Sequence, residues 1–248
     1  KMVTLDLDHP DIEEFINWKQ SEEEKVSALV TGMATLQEHC NAVLDAVWVD
    51  GEANSDVKAN PALRNAMVKA MRAKVTPSHI QRMIDLAMQG WKGVDFEMLD
   101  THWQGEAYAT VSGQNSNNSV RVPEEFMQAV AEGGEWNLYH RTEKVNAAEE
   151  GRPAEPCRSL DAKQFWDHIA YTAWACADPG VQFDTTINEW HTCPEGGRIN
   201  GSNPCSEYMF LDDTACNLAS INLLHYFDMA SQTFDVEGFR HSIRLWTT

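Results

Sequence analysis

An α/β fold is what this 248-residue sequence predicts. Two runs, Met2–Asp8 and Ser119–Val122, alternate apolar and polar side chains as half-buried strands do, and a shorter apolar piece stands at Val181–Phe183. The first two pass straight into a helix start, and the third follows a helix, which is the signature of an α/β layer arrangement. Apolar residues make up 43% of the chain, with nine Trp and nine Phe, enough to pack a sizeable core.

The elements follow in order. After Met2–Asp8, which opens the sequence with no leader, Asp8 is placed to cap a helix, with Pro10 in its first turn and Asp11 reaching back. Ile12, Phe15 and Ile16 form its apolar stripe. Residues 50–105 read as a helical hairpin inserted between core elements, because Asn60-Pro61 and Thr76-Pro77 each resemble a cap followed by a first-turn proline. Leu63, Met67 and Met71 line one helix; Ile80, Met83, Ile84 and Ala87 line the next, and Gly90 closes it. The polar run Gln114–Asn118 leads into Ser119–Val122, and Pro123–Met127 starts another helix. Residues 142–160 are polar, charged and without periodicity, so a surface loop is expected there. Asp161 caps a helix bearing Phe165, Ile169 and Ala173, which Asp178-Pro179-Gly180 ends. From Thr185 to Asn222 helix signals are few, and short extended pieces are expected. Phe234–Thr248 is helical again, with Phe239, Ile243 and Trp246 on one side, and reads as ending inside the helix. With no repeat and no linker between two cores, one incomplete α/β domain fits.

Composition excludes several function classes. With 19 Lys plus Arg against 38 Asp plus Glu, the formal charge of −19 opposes binding to nucleic-acid backbones. No apolar stretch approaches the roughly 20 residues that span a bilayer, so a soluble, cytoplasmic protein and no membrane partner are expected. The six cysteines read as thiols, four of them crowded between Cys176 and Cys216.

Within that crowd, Asn203-Pro204-Cys205-Ser206-Glu207 carries an amide, a thiol and a carboxyl at alternate positions. An extended strand would point Asn203, Cys205 and Glu207 to one face. On spacing alone, an ordinary strand with a core cysteine and a solvated glutamate fits as well. Cys216 follows the acidic turn Leu211–Thr214; if that turn returns the chain alongside the first strand, two thiols share a cleft and can reduce a substrate by forming a disulfide. A core cysteine is the other reading. His191, Cys193, Cys205 and Cys216 are too irregularly spaced for a zinc set, so no zinc is expected. There is no Gly-rich phosphate loop.

The stretch Ser202–Ser220, containing Asn203-Pro204-Cys205-Ser206-Glu207 and Ala215-Cys216-Asn217-Leu218-Ala219-Ser220, resembles the central catalytic segment of the adenosylcobalamin-dependent (class II) ribonucleotide reductases. So do Leu5–Phe15 with Trp18-Lys19, Val111–Val120 and Ala177–Gly180, in the family's order along nearly the whole chain. The resemblance implies part of a ten-stranded α/β barrel made of two antiparallel halves, with a finger loop through its centre. It implies Cys205 as the radical cysteine, Glu207 as general base on the ribose 3′ hydroxyl, Asn203 as the group holding that hydroxyl, and Cys216 as one member of the reducing dithiol. Adenosylcobalamin as cofactor, a ribonucleotide di- or triphosphate as substrate, a deoxynucleotide effector and a thioredoxin-type reductant come with it. The family places the other dithiol member upstream, and a phosphate-binding loop and recycling cysteine pair downstream. The chain is therefore expected to be an internal fragment of the barrel domain, without turnover alone, that pairs with complementary segments or with itself. The competing readings are a non-catalytic scaffold fragment and, further off, a thiol redox or zinc protein.

Overall fold

The computed structural model describes residues 1–248. Along the chain run β1 (Met2–Asp6), α1 (Ile12–Val47), the hairpin of β2 (Trp48–Val49) and β3 (Glu52–Ala53), α2 (Pro61–Arg72), α3 (Pro77–Met88) and the single turn α4 (Glu106–Ala109). Next come β4 (Asn117–Val122), α5 (Glu124–Glu132), β5 (Glu135–Leu138), α6 (Arg141–Glu150), β6 (Arg158–Asp161), α7 (Ala162–Cys176) and β7 (Gly180–Phe183). The last third holds α8 (Asp184–Glu189), the hairpins β8 (Gly201–Ser202) with β9 (Met209–Phe210) and β10 (Phe227–Asp228) with β11 (Thr233–Phe234), and α9 (Val236–Thr247).

The three apolar segments form one parallel sheet in the order β1-β4-β7, with Leu5 opposite Val120 and Val120 opposite Val181. Alternation along each strand sorts the side chains into two faces. Leu5, Leu7, Val120, Val122 and Val181 pack with Ile12, Phe15, Ile16, Phe126, Phe165 and Ile169 into the first core, where Phe126 meets Trp136 and Phe165 edge-on. The opposite face carries Thr4, Asp6, Asn117, Ser119, Arg121 and Gln182. Of these, Ser119, Arg121 and Gln182 are buried. Buried polar groups need partners, and the chain from Ile199 to Ser206 supplies them to Arg121 and Gln182.

A second core joins the far end of α1 to the α2–α3 pair, through Cys40, Val43, Leu44, Val47, Leu63, Ile80, Met83 and Ile84. Asn60 caps α2 as expected, accepting from Leu63 N at 3.0 Å, while its Nδ2 donates to Ala46 O at 2.7 Å and Asn54 O at 3.0 Å. Thr76 makes no such cap; its hydroxyl meets Ser78 Oγ and His79 Nδ1 instead. Asp161 caps α7 through Gln164 N at 2.8 Å. No helix is long and apolar enough to cross a membrane.

Two further expectations fail. Asp8 is not a helix cap: the N-cap position of α1 falls on Asp11, and the Asp8 carboxylate pairs with Arg141 at 2.8 Å and with Lys144. Burial alone would raise the Asp8 pKa, but these two cations outweigh it and hold the carboxyl below its ordinary range. Residues 142–160 are not a loop; they contain most of α6 and the start of β6, which pairs antiparallel with β5. The α6 sequence has no apolar stripe, since only Ala147 is buried and Val145 is exposed, so periodicity could not reveal it. Its end is fixed by Gly151 at φ +67° and by Arg152, whose guanidinium holds Glu143 at 2.5 Å and Glu150 at 2.6 Å.

Candidate functional site

Asn203–Glu207 is a turn, not the extended strand expected. Ser206 N donates to Asn203 O at 2.9 Å, closing a β-turn with Pro204 in its second position. Ser206 itself sits at φ +61°. Asn203 N donates to Tyr208 O at 3.2 Å, and Tyr208 N returns a bond to Asn203 Oδ1 at 3.1 Å, so the loop is the tip of the β8–β9 hairpin. The sequence held the signal: Asn followed by Pro is a turn opening, because Pro presets φ and the Asn side chain bonds nearby backbone. Cys205 and Glu207 are exposed on this tip, and Asn203 is half-buried. The Asn203 carbonyl oxygen is committed to the loop, which leaves its Nδ2 hydrogens as donors. Chain reversal thus occurs one turn earlier than Leu211–Thr214. That second turn is tied back by Asn200 Nδ2 to Asp212 at 2.8 Å, and half-buried Cys216 follows it on an irregular stretch.

Each strand of the parallel sheet sends at least one side chain to hold the segment that carries Cys205. Thr4 of β1 donates to Asn200 O at 3.1 Å, Asn117 of β4 to Pro204 O at 3.0 Å, and Gln182 of β7 to Ser202 Oγ at 2.8 Å. Beneath them Arg121 pairs with Asp184 and donates to Ile199 O at 2.7 Å, and Arg198 closes on Asp184 from the other side. Burial, with Arg198 adding to it, lowers the Arg121 pKa to about 10, so the guanidinium stays charged at neutral pH.

The separated stretches singled out in the sequence meet at one end of this sheet. Trp18 Nε1 donates to Ser112 Oγ at 2.9 Å, and Lys19 Nζ donates to Ser116 O at 2.6 Å and pairs with Asp178 at 3.2 Å. Gly113 turns at φ +68°, and a Cβ there would stand 3.4 Å from the Trp18 ring. The 112–116 loop so fixed leads directly into Asn117 of β4 and its bond to the cysteine loop.

The family model described as ribonucleotide reductase, barrel domain, matches residues 1–248. The chain belongs to that family. A vitamin B12-dependent ribonucleotide reductase of Bradyrhizobium diazoefficiens is 52% identical over all of this chain, which covers 19% of that protein. One of Streptomyces avermitilis is 39% identical over the same span, covering 18% of it. A vitamin B12-dependent ribonucleoside-diphosphate reductase of Thermoplasma acidophilum is 31% identical over 54% of the chain and 16% of its own length. The chain thus spans about a fifth of the length of the curated relatives it matches over its whole length. The parallel sheet with helices packed on one face is a part of this reductase barrel.

Next to the cysteine loop of the reductase barrel lies a cavity of about 580 Å³ whose wall includes Gln182, Phe183, Ile187, Trp190, His191 and Met209. His191 Nε2 is buried there without a partner. Its Nδ1 accepts from Cys193 N at 3.4 Å. Six of the cavity's ten lining residues are hydrophobic, and such apolar and aromatic walls fit a flat heterocycle.

Proposed function

We propose that this chain is the part of an adenosylcobalamin-dependent ribonucleotide reductase that carries the radical cysteine. The observation that supports it most is the seating of the Asn200–Tyr208 segment on the polar face of the sheet, by side chains from every strand of the parallel sheet. Radical chemistry demands placement above all, because a hydrogen atom moves only between groups already in contact. In this reading residues 1–248 are an incomplete catalytic barrel domain, with residues 50–105 as a helical insertion.

Bound adenosylcobalamin would supply the carbon radical that takes the hydrogen atom from the Cys205 thiol. Trp190 and Phe183, with His191 beside them, would hold part of it in the cavity beside the loop. The Cys205 thiyl removes the 3′ hydrogen of the ribose and later returns one. Glu207 takes the 3′ hydroxyl proton, and the Asn203 amide donates to that hydroxyl's oxygen. The 2′ hydroxyl leaves as water. Cys216 and a second thiol, which the family places upstream of these segments, give two electrons and become a disulfide, so that ribonucleotide and dithiol become deoxyribonucleotide, disulfide and water. A thioredoxin-type protein would restore the dithiol in the cytoplasm, and a deoxynucleotide effector and complementary reductase segments would complete the enzyme.

The test is nucleotide reduction with adenosylcobalamin and a thiol reductant, on the chain alone and mixed with polypeptides supplying the remaining segments of a relative. Activity in the mixture that disappears with Cys205→Ser is the expected result. An assembled mixture with no reduction, or activity that survives Cys205→Ser, refutes the reading and favours a scaffold fragment.

A further inference from the structure

Gln182 is fully buried on β7, and its side-chain amide is oriented without ambiguity. Arg121 Nη1 donates to its Oε1 at 3.1 Å, and a guanidinium has no acceptor, so the amide nitrogen must point the other way. That nitrogen donates to Ser202 Oγ at 2.8 Å and to Ser206 Oγ at 3.3 Å. Ser202 Oγ in turn donates to Asn203 O at 2.8 Å, the carbonyl that also closes the turn through Ser206 N. The two hydroxyls lie 3.2 Å apart, one on each side of Cys205 in sequence. Arg121 is fixed from below by Asp184. The result is a continuous polar chain, from a buried ion pair in the sheet, through one amide, to both shoulders of the turn.

We propose that Gln182 is a positioning residue for Cys205: its amide fixes the turn through Ser202 and Ser206 and so sets where the thiol stands. The proposal deepens the functional reading above, which makes Cys205 the reacting group. A turn that holds Ser206 at φ +61° gains nothing from that angle itself, which is uphill for a residue with a Cβ. The Gln182–Ser206 and Ser202–Asn203 bonds offset that cost and select this one conformation. Because a buried network shares its polarisation and its geometry, cutting it in the middle releases the turn while the Arg121–Asp184 pair beneath stays intact.

The experiment uses a nitroxide on Cys205, in the 248-residue chain with Cys157, Cys176, Cys193 and Cys216 changed to serine, read by electron paramagnetic resonance. A matched chain carries the label on Cys157, which lies just before β6, with Cys205 changed to serine. In Ser202→Ala, which spares Arg121, and in Gln182→Met, the correlation time of the Cys205 label should shorten by about twofold or more, as for a loop released from its anchor. The Cys157 label should not change in either. Ser202→Ala keeps the test decisive should Gln182→Met fail to fold. Unchanged mobility at Cys205, or equal loosening at both labels, overturns the proposal. Since no nucleotide or cobalamin is present, this result stands apart from success or failure of the reductase assay.

Discussion

Arg121→Met should be the costliest single change on the polar face of the sheet. The Arg121 side chain is 3% exposed and that of Asp184 14%. Removing one partner of such a buried pair costs about 3–5 kcal/mol, because the other charge is left behind. Two features of the site decide where in that range the value falls. Asp184 keeps Arg198, and Ile199 O keeps the Asn188 Nδ2 bond at 3.1 Å. Only Gln182 Oε1 loses its sole donor, so the loss should lie near the lower end, about 3 kcal/mol. Urea unfolding followed by tryptophan fluorescence and circular dichroism reads this directly, and Asp184→Asn with the double variant closes a cycle. The two residues act as a unit, so the double variant should cost at least about 1 kcal/mol less than the sum of the singles. A loss below about 1 kcal/mol for Arg121→Met, or additive singles, would refute the claim that this pair anchors the face.

Asp8 sets an acid limb of stability. Its folded pKa is held below the ordinary 3.8, so the stability it contributes is complete above that value and is lost as pH falls through the lowered one. Asp8→Asn should flatten the fall in stability below about pH 4 in urea titrations; an unchanged slope would contradict the assignment of Arg141 and Lys144 as its partners. Asn60→Ala removes a cap and two carbonyl contacts at a buried position and should cost about 2 kcal/mol in the same assay, a loss under about 0.5 kcal/mol contradicting it. In the complemented reductase assay, Cys216→Ser should abolish product formation; full activity would remove Cys216 from the dithiol.

The parts of the fold that announced themselves are those where burial follows a period. Leu5 and Leu7, Val120 and Val122, and the stripe of Ile12, Phe15 and Ile16 point into one core, and each could be read from spacing. What stayed hidden was held by charges or by partners distant in sequence. Asp8 has the look of a cap until Arg141 and Lys144 arrive from 133 and 136 residues away. α6 lacks an apolar face, and its bracing by Arg152 is a surface matter. At the site, the residues that the resemblance implies could be named from the sequence, but the shape of the loop that carries them could not. Alternation suggested a strand, whereas Asn203-Pro204 carries local turn chemistry strong enough to bend it. Gln182 gave no sign in the sequence at all, since a lone glutamine in a short strand takes its meaning only from Arg121 on the neighbouring strand and Ser202 twenty residues on.

α1 has a consequence for how this chain could be cut. Its 36 residues extend for about 54 Å at 1.5 Å each. Ile12, Phe15 and Ile16 serve the sheet, Cys40, Val43, Leu44 and Val47 serve the helical pair, and between Ile16 and Cys40 only Val26 is buried. Excising α2 and α3 alone would therefore strip four apolar side chains at the tail of α1 and leave a sticky stump. The unit that can be lifted out cleanly, or grafted elsewhere, includes the last turns of α1 from Cys40 onward.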